Sequence, residues 1–203
     1  KSQEEIKEAA NLGLKLISNY DTQFILGDPP NYEPGKEDSI AALAKSKGIA
    51  ELEVIYDEFL KNEGTNLVYA CFTPYDNHKL DFVERAYSLK SSVAGGSDGG
   101  AHCGLICDAS MPTTNLSHWA RDREAGKKIP IELIVRKQTK DTAETYGLFD
   151  RGEIKTGMLA DLNIIDFEKL NVTHPKMVYD LPLGGRRLIQ TSSGYLATVK
   201  SGE

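Results

Sequence analysis

The chain has 203 residues, enough for one domain or slightly more at about 150 residues per domain. A 40% hydrophobic and 27% charged composition excludes a disordered chain. Thirty acidic against 24 basic residues leave a net charge of −6, which argues against a general nucleic-acid or anionic-membrane binder.

No apolar stretch approaches the roughly 18 residues that a bilayer span needs. The start, Lys1-Ser2-Gln3-Glu4-Glu5, is polar and is not a signal peptide. It also lacks Met, so the chain is expected to be cut from something longer. Three cysteines, Cys71, Cys103 and Cys107, fit a reduced cytoplasmic protein better than a disulfide scaffold.

In chain order, residues 2–18 read as an amphipathic helix capped by Ser2, with Ile6, Ala10, Leu14 and Ile17 on one face. Phe24, Ile25 and Leu26 follow as a short strand closed by Gly27. Residues 28–35 hold three prolines and a glycine, so they form an ordered loop. A helix restarts near Asp38 or Ser39 and stops at Gly48. Residues 50–62 form a second helix with Leu52, Ile55 and Phe59 on its buried side, ended by Gly64. Residues 67–72 are short and apolar, as in a strand covered on both faces. Asp76 or Asn77 caps the next helix, whose inner face is Leu80, Val83 and Tyr87. Residues 91–94 are again a short strand, and it runs into a glycine-rich loop. This alternation of strand and helix is the pattern of parallel βα units, whose functional loops lie at the carboxyl ends of the strands.

Beyond residue 110 the texture changes. Residues 115–125 are predicted helical and end at Gly126. Pro130 suits the first position of another helix. Asp141 and Glu144 resemble a capping box, and Gly147, Gly152 and Gly157 break the chain. Residues 159–166 form a strand. Residues 187–191 and 195–199 read as a hairpin around Ser192-Ser193-Gly194. Gly184-Gly185 before Arg186-Arg187 is a turn leading into a strand, and Lys200-Ser201-Gly202 is a further turn. The division is therefore residues 1–148, a partial (β/α) barrel portion, and 149–203, a β-rich segment.

The densest chemical signal is Gly95-Gly96-Ser97-Asp98-Gly99-Gly100-Ala101-His102. Glycines remove side-chain bulk around one carboxylate and permit close approach of a ligand. An Asp at the mouth of a parallel strand can accept a proton from a metal-bound water or ligate the metal itself. Taken alone, the same residues suit an ordinary turn in which Asp98 bonds to local amides. His102 shares the loop, four residues on, and is a candidate for touching metal or substrate. His78, within a predicted helix, His118, on an amphipathic helix, and His174, beside Pro175, read as surface or packing residues. Cys103 and Cys107 lack a second pair and read as buried apolar residues. Arg121, Arg123, Lys127 and Lys128 would suit a carboxylate-bearing substrate, but a solvated helix face is the ordinary reading of such a cluster. Trp119 and Tyr69 read as core or wall.

The loop is followed by Cys107-Asp108-Ala109-Ser110-Met111-Pro112-Thr113, by Asp150-Arg151-Gly152-Glu153-Ile154 and by Gly157-Met158-Leu159-Ala160-Asp161-Leu162. This combination resembles the C-terminal part of the amidohydrolase superfamily, on the branch similar to N-acyl-D-amino-acid deacylases. Leu181-Pro182 with Gly184-Gly185 and Arg186-Arg187 matches that tail too, and a weaker likeness reaches back to the 28–34 loop. The resemblance implies an α/β fold: the C-terminal part of a (β/α)8 metal-dependent hydrolase barrel, followed by strands of a small β-domain. It implies zinc or another divalent metal, with Asp98 beside that metal and handling the proton of the hydrolytic water. It gives Asp161 a structural role.

Here the sequence departs from the family pattern. The family's metal site needs a His-x-His pair and further donors, and the four histidines of this chain form no such pair. A (β/α)8 barrel takes about 250 residues and a βα unit about 30, yet only 97 residues precede Asp98. The chain is therefore expected to be the C-terminal piece of a larger enzyme and inactive when isolated.

Three functions are consistent with these residues. The first is metal-dependent hydrolysis of a non-peptide amide, above all the N-acyl bond of a D-amino acid. The second is a non-catalytic partial domain that works by self-association or by pairing with a missing N-terminal part. The third keeps the chemistry on cyclic amides or isoaspartyl dipeptides. The expected partner is a small N-acyl amino acid or related amide, with no nucleic acid and no membrane.

Overall fold

The computed structural model describes residues 18–71, 75, 77–95, 97, 104–105 and 108–203. The predicted helix over residues 2–18 lies outside them, apart from Ser18, which is in a turn. By its internal contacts the chain forms two compact units, Lys1–Leu80 and Asp81–Glu203.

In the first unit, strand β1 (Gln23–Ile25) pairs antiparallel with β2 (Val68–Ala70), Phe24 opposite Tyr69. Between them run helices α1 (Ile40–Lys47) and α2 (Glu51–Phe59). The sequence signals for α1 hold at both ends. The Ser39 hydroxyl accepts from the Ala42 amide at 3.2 Å, and Gly48 closes the helix with φ of 68°. Ile40, Ala44 and Val54 form the core, with Tyr20, Ile25, Leu43, Ile49 and Ile55 packed against it.

Three expectations are corrected in this unit. The strands are antiparallel rather than parallel. One helix between two strands returns the chain parallel, whereas the turn between α1 and α2 adds a second helix and one more reversal. The buried side of α2 is also not the predicted one. Val54 and Glu58 face inward with Ile55 half-buried, while Leu52 and Phe59 are 65% and 47% exposed. Residues 68–70 are half-buried and not covered on both faces.

In the second unit, α3 (Asp81–Ser88) begins later than predicted. Before it, at the end of the first unit, Asn77 and His78 both adopt positive φ, 52° and 57°, so His78 sits in a turn and not in a helix. Residues 91–94 make no strand, and among the described residues no strand pairs with them. Helix α4 (Met111–Thr114) runs into a π-helical stretch, Asn115–Asp122, in place of an α-helix to residue 125. Helix α5 (Ile131–Gln138) follows Pro130, and α6 (Lys140–Thr145) follows Thr139. Asp141 makes no capping box: it accepts from Arg136 Nε at 2.8 Å.

The last quarter is β-rich, as expected, but only one of the three pairings described there is local. Strand β3 (Leu162–Ile165) pairs with β8 (Tyr195–Val199), β4 (Asn171–Val172) with β7 (Ser192–Ser193), and β5 (Lys176–Leu181) with β6 (Gly185–Ile189), all antiparallel. The hairpin predicted around Ser192-Ser193-Gly194 is thus replaced: both expected arms pair with earlier strands, and the expected turn is itself β7. Gly194, with φ of 91°, lies against the Leu170 backbone, where a Cβ would stand 2.6 Å from Leu170 Cα. The true hairpin is β5–β6, turned by Pro182–Gly184. Among the described residues the strands join two by two, and no closed barrel is formed.

Candidate active-site loop and its anchors

Asp98 and His102 lie outside the described residues, as do Cys103 and Cys107. Both stems of their loop are described. The upstream stem, residues 89–95, carries no regular structure, and side chains hold it in place. Lys137, near the end of α5, is 3% exposed. Its ammonium donates to the carbonyl of Leu89 at 2.7 Å, to that of Ser92, and to the Ser92 hydroxyl at 3.4 Å. It lies 3.8 Å from the Asp141 carboxylate. Thr142, on α6, donates to the Ala94 carbonyl at 3.4 Å.

The downstream stem, from Asp108, is held just as closely. Gln138, adjacent to Lys137, donates its amide to the Pro112 carbonyl at 3.2 Å. Ser110 is buried and donates to the Gln190 side chain. The Thr113 hydroxyl bonds with the Tyr195 hydroxyl at 2.9 Å and with Ser192 at 3.1 Å. Consecutive residues of one helix, Lys137 and Gln138, therefore hold the two ends of the loop that contains Asp98.

The sequence reading missed Lys137 and Gln138, although a signal was present. Lys137 follows fully buried Ile134 by three residues, so helical spacing puts both on the inward face. A lysine is ordinarily placed on the solvent side, and only the two carbonyls that receive its protons make burial tolerable. The carbonyl partners, 45 and 48 residues away, have no pattern in the sequence.

The basic cluster after the loop divides: Lys127 and Lys128 are exposed, as a solvated face would have them, whereas the two arginines are turned inward and occupied. Arg123 is 1% exposed. It donates to Asp81 at 2.6 Å and to the Lys127 carbonyl at 2.7 Å, with its guanidinium 4.7 Å from the centre of the Trp119 ring. Arg121 donates to Asp122 and to the Phe167 and Leu170 carbonyls. That hydrogen bond is the main cause holding the Asp122 carboxyl below its ordinary value. Trp119 is core, as expected.

Asp161 is a junction. It accepts from Arg151 at 3.0 Å, from Lys200 at 2.8 Å and from the Ser201 amide at 2.8 Å, joining the 150–157 turns to the final turn. The Lys200 bond, first among these causes, keeps its carboxyl below the usual range.

In the first unit an aromatic group lines the 28–35 loop. Tyr32 meets Tyr69 edge-on at 5.3 Å, Tyr75 meets Phe24 at 5.7 Å, and the Tyr75 hydroxyl donates to the Pro34 carbonyl. Glu33, buried, accepts from the Leu80 amide at 2.8 Å. Burial raises the Cys71 thiol above its ordinary pKa, partly offset by a hydrogen bond with Tyr69. His78 bonds to the Asp21 carbonyl at 3.0 Å, and His174 to that of Pro175 at 2.8 Å. His118 stacks edge-on with Trp119 at 5.2 Å.

Among the described residues, no three His, Cys, Asp or Glu side chains stand together as a metal cage. No described helix is long and apolar enough to cross a membrane.

A family model described as "Amidohydrolase family" matches residues 30–203, which include the whole glycine-rich loop and the β-rich tail. The chain belongs to this family, and membership implies a hydrolase of the TIM-barrel type. No curated protein and no solved structure matches the chain.

Proposed function

We propose that this chain contributes the proton-handling loop of an amidohydrolase that cleaves the N-acyl bond of N-acyl-D-amino acids. The observation that carries the reading is the family match across residues 30–203, with Asp98 inside it. The two fastened stems support it, since a catalytic carboxylate must be held in a productive geometry. Asp98 takes a proton from the attacking water, and the hydroxide adds to the amide carbonyl. Asp98 then returns the proton to the leaving nitrogen as the C–N bond breaks. His102 is a substrate-facing residue of the same loop. Zinc or another divalent ion is the expected cofactor of the parent enzyme, with Asp98 among its ligands and the remaining donors expected outside this chain. Residues 1–148 form the barrel portion and 149–203 the small β-domain.

The test is turnover, by the complete parent enzyme, of N-acetyl-D-amino acids against their L forms, cyclic amides and isoaspartyl dipeptides. The expected result is D-selective release of acetate that Asp98→Asn abolishes while the circular dichroism stays unchanged. Near-normal turnover by Asp98→Asn would remove Asp98 from the mechanism. Preference for a cyclic amide would move the reading to that branch.

A second reading, that the chain works by association, is favoured by one surface. Leu52, Tyr56, Phe59 and Leu60, on and just after α2, are all exposed and apolar. Sedimentation decides it: a monomer at high concentration excludes self-pairing through this face.

A further inference from the structure

We infer that Lys137 is a positioning residue for the Asp98 loop, acting through the backbone of residues 89–95. The inference rests on the proposed role of Asp98 and deepens it. A loop whose upstream stem has no strand partner loses the usual fastening of a catalytic segment, which is a ladder of backbone hydrogen bonds. Lys137 replaces that ladder from one point. A single buried ammonium has three protons to donate, and its acceptors include the Leu89 and Ser92 carbonyls, three residues apart, with the Ser92 hydroxyl beside them.

The Ser92 hydroxyl is itself turned back onto the carbonyls of Ala86 and Leu89, so the segment is folded around the ammonium. Thr142 adds the Ala94 carbonyl, one residue before Gly95. Thr142 also donates to the Lys137 carbonyl at 2.6 Å, which ties the two anchors together. Gln138 holds Pro112 on the far side. Tyr87, whose side chain bonds Gln138 and whose hydroxyl burial raises in pKa, closes the group from α3. One turn of α5 thereby sets both the entry and the exit of the loop. A small displacement of that turn would shift whatever the loop presents, and in a reaction that depends on alignment a misplacement of about 1 Å costs on the order of a hundredfold in rate.

The test is amide hydrogen exchange in the full chain, comparing Lys137→Met with Lys137→Arg. Methionine keeps the length and apolar stem of the lysine but cannot donate. Arginine can still reach two carbonyls. The expected result for Lys137→Met is at least about tenfold faster exchange at residues 89–95, with the paired strands of residues 162–199 nearly unchanged. Lys137→Arg restores most of the protection, which a merely space-filling role would not produce. Equal acceleration throughout residues 81–203, or no change at 89–95, overturns the inference.

Should Lys137→Met fail to fold, two milder variants decide. Thr142→Val must loosen residues 92–95 and Gln138→Ala residues 108–114, each locally, and no local effect from either overturns the inference. In turnover assays of the complete parent enzyme, Lys137→Met must lower kcat more than it raises KM. If exchange responds as expected but Asp98→Asn retains turnover, the anchor stands and the reading of Asp98 falls.

Discussion

The two helix pairs of this protein are built on opposite principles. In the first unit, α1 and α2 close over Ile40, Ala44 and Val54, an apolar core. In the second, α5 and α6 also bury Ile134 and Ala143, but their ends are fixed by buried Lys137, and Arg123 is buried near by in the chain. Apolar contact is strong but has no direction, so it can hold helices together without fixing what an adjoining loop does. A buried ammonium or guanidinium must meet its acceptors at hydrogen-bond distance and angle. Such groups add little net stability but admit one backbone arrangement, which is what a loop carrying a reacting carboxylate needs.

Mutation can break that contrast. The largest loss is expected from Ile40→Ala, a fully buried side chain whose removal leaves a cavity worth about 3 kcal/mol. Chemical denaturation followed at the aromatic group of the first unit should show it, and an effect under about 1 kcal/mol would mean this core is loosely packed. Arg123→Met should cost about 2 kcal/mol, because the apolar stem is kept while the bonds to Asp81 and Lys127 and the contact with Trp119 are lost. Trp119 fluorescence, from the sole tryptophan, reports that change directly.

Ser39→Ala should cost about 1 kcal/mol, since the Ala42 amide loses its cap, and Ser39→Gly should cost less. The smallest effect sharpens the electrostatic side. The Asp161 carboxyl has a folded-state pKa below its unfolded value, chiefly through Lys200. Its contribution to stability is therefore present above the ordinary carboxylate pKa and is lost as pH falls through the lowered value. Asp161→Asn should flatten that acid dependence slightly in melts recorded from neutral to acidic pH, and an unaltered dependence would show the Lys200 and Arg151 pairs to be idle.

Much of the local structure was legible because its causes are local. Ser39 and Gly48 mark α1, the prolines mark the 28–35 loop, and Gly147, Gly152 and Gly157 adopt φ of 74°, 90° and 91°, which only glycine takes readily. The side of α2 was misjudged because Leu52, Ile55 and Phe59 are the more apolar set, so hydrophobicity alone selects the wrong face. The hairpin expected at residues 187–199 does not form, because Ser-Ser-Gly is a good turn only in isolation: the first arm finds its partner 9 to 13 positions upstream in β5 and the second 30 to 37 positions upstream in β3.

The sequence by itself determined the family and both ends of α1, whose cap and stop lie within a few positions of the residues they act on. Which strands pair, which face of α2 is buried, and that a lysine and a glutamine on neighbouring positions of α5 hold both stems of the loop were decided only in three dimensions. Each of those depends on groups that meet only through the fold, 26 and 48 residues apart for two of the stem anchors and 30 to 37 for β3 with β8, and nothing in the residues between them records the meeting.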